Sequence, residues 1–122
     1  MAVLVTNGPH GYPHPVPCCF GLDGGTLYSL VDDKPKSSAH LRRLDNIAAD
    51  ARVTVLAQHY VETWDELWWI RTTGIARVAS SDAEHDHAVA LLLRKYGQYV
   101  THRLDGPAIA VTLASWRTWA AR

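Results

Sequence analysis

The stretch that decides the fold is a run of β-branched and aromatic residues, Leu67-Trp68-Trp69-Ile70-Arg71-Thr72-Thr73-Gly74. Residues of the same strand-forming types continue to residue 78. The run predicts a long strand over residues 67–78, with Gly74 as a bend or bulge. Side chains alternate across a strand, so Trp69, Arg71 and Thr73 share one face. An indole beside a guanidinium on that face suits a subunit interface or a flat anionic ligand. A tryptophan buried in the core on each side of the strand is the equally weighted alternative.

The segments on either side of this strand carry clear element signals. Residues 52–59 alternate apolar and polar side chains and predict a strand, which the acidic connector 61–66 joins to the long strand. After it, Ser81-Asp82-Ala83-Glu84 is a capping box that begins a second helix, and Gly97 ends that helix. Residues 107–114 predict the last strand, which residues 115–122 can extend.

Towards the N-terminus, residues 2–6, 14–20 and 26–31 predict three strands, with a hairpin turn at Leu22-Asp23-Gly24-Gly25. Pro15 and Pro17 are two residues apart, so both missing N–H groups lie on one side of their strand. This pattern is tolerated only at a sheet edge or where something other than a strand lies alongside. Ser37 or Ser38 can cap a first helix that runs to about Ala49. Its predicted apolar stripe is Leu41, Leu44, Ile47 and Ala48.

The predicted order is three strands, a helix, two strands, a helix and a strand, within 122 residues that fit one domain. Antiparallel hairpins interrupted by two helices indicate an α+β barrel. A formal net charge of zero argues against nucleic acid or an anionic membrane as the main partner. The chain has no apolar run of about 18 residues and no signal-peptide pattern, so we expect a cytoplasmic protein.

The cysteines and histidines predict little chemistry. Cys18 and Cys19 are adjacent, so a disulfide between them would be strained, and no base that would activate either thiol is evident. We interpret them as structural. The seven histidines are scattered, with no spacing typical of a zinc site, so no metal is predicted.

A basic segment at the start of the first helix predicts a phosphate site. It reads Asp32-Asp33-Lys34-Pro35-Lys36-Ser37-Ser38, and Arg42 and Arg43 follow within two turns. Free N–H groups at a helix start, with lysines and hydroxyls in front of them, suit a phosphate. The alternative is a solvated loop with an ordinary serine cap.

Several stretches, taken in order, resemble the F420-dependent oxidoreductases of the pyridoxamine-phosphate-oxidase-like superfamily. The resemblance covers nearly the whole chain and rests on the ordered set rather than on any single motif. The stretches are residues 11–17 (GYPHPVP), 22–28 (LDGGTLY), 33–36 (DKPK), 41–47 (LRRLDNI), 52–56 (RVTVL), 67–71 (LWWIR) and 92–99 (LLRKYGQY).

The resemblance implies a six-stranded antiparallel split β-barrel with two helices. It also implies a homodimer with two cofactor sites at the subunit interface. It assigns Lys34, Lys36 and Ser37 to the cofactor phosphate, and Arg42 or Arg43 to the acidic tail of a deazaflavin. It places Val16, Pro17 and Ser29 near the ring. It takes Trp69 and Arg71 from the partner subunit.

The function implied is an oxidoreductase in which reduced coenzyme F420 delivers hydride to an organic acceptor. Two alternatives stay open: an FMN-binding oxidoreductase on the same fold, and a non-catalytic deazaflavin-binding protein. The resemblance is incomplete at one place. Relatives usually begin with a helix before the first strand, whereas this sequence starts almost at that strand. In relatives this helix helps to cover the barrel, so we expect its absence to affect activity more than the fold.

Overall fold

The computed structural model describes residues 1–31, 38–97 and 106–122. Within these parts the chain forms seven strands and two α-helices. Their bounds are β1 Ala2–Asn7, β2 Pro13–Cys18, β3 Gly21–Asp23, β4 Thr26–Leu30, α1 Ser38–Ala49, β5 Arg52–His59, β6 Trp68–Val78, α2 Asp82–Lys95 and β7 Ala108–Ala120. Single 3-10 turns lie at Pro9–Gly11 and Trp64–Glu66.

The strands form one antiparallel sheet in the order β2-β1-β5-β6-β7-β4-β3. A single buried cluster takes apolar side chains from six of these strands and from α1. One face of the sheet can share a common core in this way only if the sheet curls around it. The two edge strands, β2 and β3, follow each other directly in the chain, so the curled sheet brings its edges to adjoining positions. The α+β barrel expected from the sequence is therefore confirmed.

The predicted strand count was wrong by one. The strand expected over residues 14–20 ends at Cys18 as β2, and a further short strand, β3, overlaps the start of the turn expected at Leu22-Asp23-Gly24-Gly25. β2 pairs with β1, whereas β3 pairs with β4 at the opposite end of the sheet. Cys19 and Phe20 lie between the two strands, and Phe20 packs against the interior. The chain changes its pairing partner at this point, so the sheet has seven strands rather than six.

β6 contains the expected irregularity at Gly74. The register with β7 shifts between Thr73 and Gly74. A Cβ atom at Gly74 would lie 2.6 Å from the Thr112 carbonyl oxygen and 2.7 Å from Val111 Cγ1, so only glycine fits between the strands here. β7 continues beyond this point to Ala120, and its second half pairs with the first half of β6.

β2 lies at the edge of the sheet, as its prolines predicted. Pro13, Pro15 and Pro17 occupy alternate positions of its ladder with β1. The N–H groups that bond to β1 therefore come from His14, Val16 and Cys18, and the prolines direct their missing N–H groups outward.

α1 closes one end of the barrel. Ile47 is buried in the interior cluster and Leu44 packs against it, whereas Ala48, predicted as part of the apolar stripe, is exposed. Two polar side chains, Arg43 and Asn46, are buried with Ile47, and the Asn46 amide donates a hydrogen bond of 3.0 Å to the Thr6 hydroxyl.

α2 packs on the outside of the barrel, against Tyr28, Leu30, Ala108 and Ala110. Its N-cap is confirmed, because the Ser81 hydroxyl accepts a hydrogen bond from the Glu84 N–H at 3.2 Å. Two histidines of α2 contact residues outside the helix. His85 Nε2 lies 2.7 Å from the Gly106 carbonyl oxygen, and His87 Nε2 lies 2.7 Å from Asp23 Oδ2.

α1 packs into the barrel interior, and α2 packs on the outside of β4 and of the first half of β7. Neither helix therefore covers the outer surface of the rest of the sheet. We call this surface the open face. It consists of outward positions on β1, β2, β5, β6 and the second half of β7, including Val3, Val5, Pro15, Pro17, Thr54, Leu56, Gln58, Trp69, Arg71, Thr73, Ser115, Arg117 and Trp119. No helix in the described part of the chain is long and apolar enough to span a membrane.

Candidate functional site

A groove of about 980 Å³ separates α1 from the connection between β1 and β2. The connection turns tightly: the Gly8 N–H donates to the Tyr12 carbonyl at 2.8 Å. His10 has φ 64°, in the left-handed region that a non-glycine residue seldom adopts, and Gly11 follows with φ 78°. This turn forms one wall of the groove, and Arg42, Asp45, Asn46 and Ala49 of α1 form another.

A hydrogen-bonded cluster of Asn7, Asp50 and Arg52 also lines the groove. The Asp50 carboxylate accepts from Arg52 Nε at 3.0 Å, Arg52 Nη2 at 2.8 Å, the Arg52 N–H at 3.1 Å and Asn7 Nδ2 at 3.0 Å. The bonds from Arg52 are the main reason that the pKa of Asp50 lies well below its ordinary value. The cluster joins the ends of β1 and α1 to the start of β5, and holds the Arg52 guanidinium in one orientation.

A second depression, of about 290 Å³, continues from this cluster onto the border of the open face. Asn7 and Arg52 line both depressions, so the two adjoin at these residues, and we call them together the channel. Its far end is lined by Val5, Thr54, Thr73 and Ile75. The volume of the groove alone is at the upper end of what small-molecule sites usually have, about 300–1,000 Å³.

The two adjacent arginines of α1 have different environments. Arg42 is exposed and lines the groove, whereas Arg43 is 7% exposed and faces the barrel interior. There the Arg43 charge and the nearby Ser29 hydroxyl act on the Cys18 thiol and favour its ionised form. Burial outweighs both, so the pKa of Cys18 is raised. A buried thiol held protonated is consistent with the structural role expected for this cysteine.

The remaining predicted site residues fall into three groups. Val16 and Ser29 face the interior, and Ser29 is 1% exposed, so their side chains do not line the channel. Pro17, Trp69 and Arg71 lie on the open face, with the Arg71 guanidinium 5.4 Å from the centre of the Trp69 ring. The phosphate residues Lys34, Lys36 and Ser37 lie outside the described residues, immediately before the first residue of α1.

Two residues that the sequence analysis did not select stand beside Trp69 and Arg71. In the register of β6 with β7, Trp119 is opposite Trp69 and Arg117 is opposite Arg71. The signal that could have identified them is their spacing, since Arg117 and Trp119 are two residues apart and therefore share a face if residues 115–122 form a strand. In the described part of the chain, no group of three His, Cys, Asp or Glu side chains could hold a metal ion.

Comparison with known proteins identifies the fold. No protein-family model and no curated protein matches the chain. Among solved structures, it resembles a conserved hypothetical protein from Mycobacterium tuberculosis, with TM-score 0.80 and 18% identity over 99% of this chain and 77% of the other. A proposed pyridoxamine 5′-phosphate oxidase from Listeria innocua gives TM-score 0.67 and 16% identity over 96% and 86%.

The heme storage protein HutZ from Vibrio cholerae gives TM-score 0.71 and 13% identity over 98% of this chain and 84% of its own. Identities of this size establish a shared fold and leave the ligand open. The chain has the split-barrel fold of the pyridoxamine 5′-phosphate oxidase-like proteins.

Proposed function

We propose that this chain binds a phosphate-bearing deazaflavin, coenzyme F420, and that the holoprotein is an oxidoreductase acting on an organic acceptor. The observation that carries the proposal is the position of α1. Its exposed Arg42 lines the groove, and its first residue directly follows the basic segment that contains Lys34, Lys36 and Ser37. One helix therefore carries Arg42, which lines the channel, and directly follows in sequence a segment of phosphate-binding residue types.

The described lining fits an elongated molecule with an anionic end. Arg42 offers an exposed guanidinium, and Arg52 uses only Nε and Nη2 toward Asp50, so its Nη1 group can donate to a ligand. The Asp50 charge is balanced by Arg52. The Asp45 carboxylate, which also lines the groove, offsets part of the Arg42 charge. The far end, with Val5 and Ile75, offers apolar contact to a ring system.

In this proposal each part of the chain has a distinct task. The reduced deazaflavin supplies the hydride when it is bound. Lys34, Lys36 and Ser37 hold the phosphate, Arg42 contacts the acidic tail, and Arg52 orients the middle of the molecule. A second copy of the chain covers the channel from the open face and contributes Trp69 and Arg71. We assign no acid or base among the described residues.

Paired titrations with F420 and FMN test the proposal. We expect F420 to bind more tightly, and Lys36→Ala to weaken it by about 1.5–3 kcal/mol, as for a charged hydrogen bond. Arg42→Ala should weaken F420 more than FMN and reduce the salt dependence of binding, because FMN has no polyglutamate tail. Arg94→Ala, on the exposed side of α2, is the matched control and should change neither.

The possible outcomes separate the alternatives. Tight FMN binding with weak F420 binding would make FMN the cofactor, and the chain would still be proposed as an oxidoreductase. F420 binding without turnover across a panel of acceptors would make the chain a carrier protein. Binding of hemin in place of both cofactors would reject the proposal.

A further inference from the structure

We propose that the open face carries a binding site for a planar, conjugated carboxylate, formed by three consecutive cross-strand pairs of β6 and β7. The pairs are Trp69 with Trp119, Arg71 with Arg117, and Thr73 with Ser115. We call them the indole, guanidinium and hydroxyl pairs. Under the proposed function the ligand is the hydride acceptor, and this assignment of its role rests on that function, whereas the site itself does not.

The register of the two strands brings the six side chains together on one surface. Alternate residues of a strand face the same side, and directly opposed residues of antiparallel strands have Cβ atoms roughly 4.5–5.5 Å apart. The Thr73 and Ser115 hydroxyl groups are hydrogen-bonded to each other. The Arg71 guanidinium lies over the Trp69 ring, which favours one orientation of that side chain.

The guanidinium pair lacks a compensating negative charge. Like charges directly opposite each other on neighbouring strands repel. Arg71 and Arg117 are exposed, and neither forms an ion pair within residues 1–31, 38–97 and 106–122. None of the open-face positions named above is acidic, although acidic and basic residues are equal in number in the whole chain. Guanidinium groups on directly opposed residues can bind one carboxylate from both sides with charge-assisted hydrogen bonds.

The indole pair gives the ligand its planar part. Trp119 is 42% exposed and Trp69 is half-buried, so both rings offer an accessible surface directly beside the guanidinium pair. Aromatic rings stack on such surfaces in offset or edge-on geometry. A molecule with its carboxylate between the arginines therefore has its ring system against the tryptophans, and a conjugated acid satisfies both pairs.

A matched pair of probes tests the site without any cofactor. 2-Naphthoate and 2-naphthamide have the same ring system and differ in charge, and their binding to the full chain can be followed by tryptophan fluorescence and calorimetry. We expect naphthoate to bind at least tenfold more tightly than naphthamide, with an affinity that falls with salt. Arg117→Gln should lower naphthoate affinity about tenfold and leave naphthamide unchanged, while Arg94→Gln should change neither.

Equal affinity for the two probes, or unchanged naphthoate binding in Arg117→Gln, would overturn the site. Loss of dimerisation in Arg117→Gln without loss of naphthoate affinity would also overturn it, because the carboxylate between the arginines would then belong to the partner subunit. Near-ultraviolet circular dichroism should show that each variant is folded.

Turnover then tests the role as acceptor. With reduced F420, Arg117→Gln should raise KM for conjugated carboxylate acceptors at least tenfold and leave KM for their amides unchanged. If naphthoate binds as expected but no acceptor is reduced, the proposed function fails and the site stands. If acceptors are reduced with equal KM for acid and amide, the site fails and the proposed function stands.

Discussion

The Glu84 carboxylate accepts four hydrogen bonds, three of them from side chains. They come from both terminal nitrogens of Arg77, at 2.6 and 2.7 Å, from the Ser80 N–H at 3.0 Å and from the Tyr28 hydroxyl at 3.0 Å. The bonds from Arg77, then that from Ser80, lower the pKa of Glu84 to about 2. One carboxylate thus fastens the first turn of α2 to β4 and to the end of β6.

We predict that Glu84→Gln lowers the free energy of unfolding by about 1–3 kcal/mol at pH 7, because a glutamine cannot accept both Arg77 donors and carries no charge. A carboxylate whose pKa is lower in the folded state stabilises above its unfolded pKa and loses that contribution as the pH falls toward the folded value. The difference between the two proteins should therefore be constant above about pH 5 and shrink toward pH 2. Urea unfolding at several pH values measures it.

Glu62→Gln is the control for this experiment, because Glu62 is exposed in the connector before β6. Its removal should change stability by less than about 0.5 kcal/mol at any pH. A Glu84→Gln protein as stable as the unmodified one at pH 7 would show that the Arg77 contact contributes nothing to the docking of α2.

Among the elements, the bulge in β6 is the one that a single methyl group should disturb. We predict that Gly74→Ala costs about 1–3 kcal/mol of unfolding free energy, because the new Cβ would overlap the Thr112 carbonyl and Val111 Cγ1. Gly25→Ala is the matched control, since a Cβ there meets nothing within 4 Å. Thermal and urea unfolding of the two variants measure the contrast, and equal stabilities would mean that the strands separate freely at this point.

Much of this element structure follows from local sequence signals. The alternation in residues 52–59 and the bulge glycine in β6 fixed two strands closely, and the capping box at Ser81 fixed the start of α2. Each of these signals acts over a few residues, so a single sequence contains it.

Other features depend on partners distant in the chain and were missed for that reason. The division between β2 and β3 follows from pairing with β1 on one side and β4 on the other, which no local pattern records. Arg43 and Arg42 are adjacent on one helix, and only the burial of Arg43 near Cys18 distinguishes them. Arg117 and Trp119 had no apolar alternation around them, because the end of β7 is exposed on both faces.

At the scale of the whole molecule, we predict that two copies associate through the apolar part of the open face on β1 and β5, which leaves the guanidinium pair of β6 and β7 accessible. Its apolar residues, including Val3, Val5 and Leu56, would otherwise remain partly in contact with water. The dimer should bury well above roughly 1,000 Å² in total and persist at micromolar concentration. Leu56→Glu places a charge in the middle of this surface and should shift sedimentation to the monomer, whereas Ala90→Glu, on the exposed side of α2, should not.

A monomer at micromolar concentration in the unmodified protein would contradict this prediction, and a dimer unaffected by Leu56→Glu would assign the contact to another surface. Val5, Thr54 and Thr73 belong to both the channel and the open face, so we also expect F420 to bind less tightly to the monomeric variant.

The alternate prolines of β2 have a consequence for the fate of this protein at high concentration. An exposed sheet edge is where foreign strands attach and where fibrils begin to grow. Pro13, Pro15 and Pro17 present carbonyl groups but no N–H groups to such a strand, so half of every hydrogen-bonding ladder is missing. The opposite edge, β3, offers only three residues. Fibril growth should therefore require prior unfolding, and protein that remains folded should resist seeding.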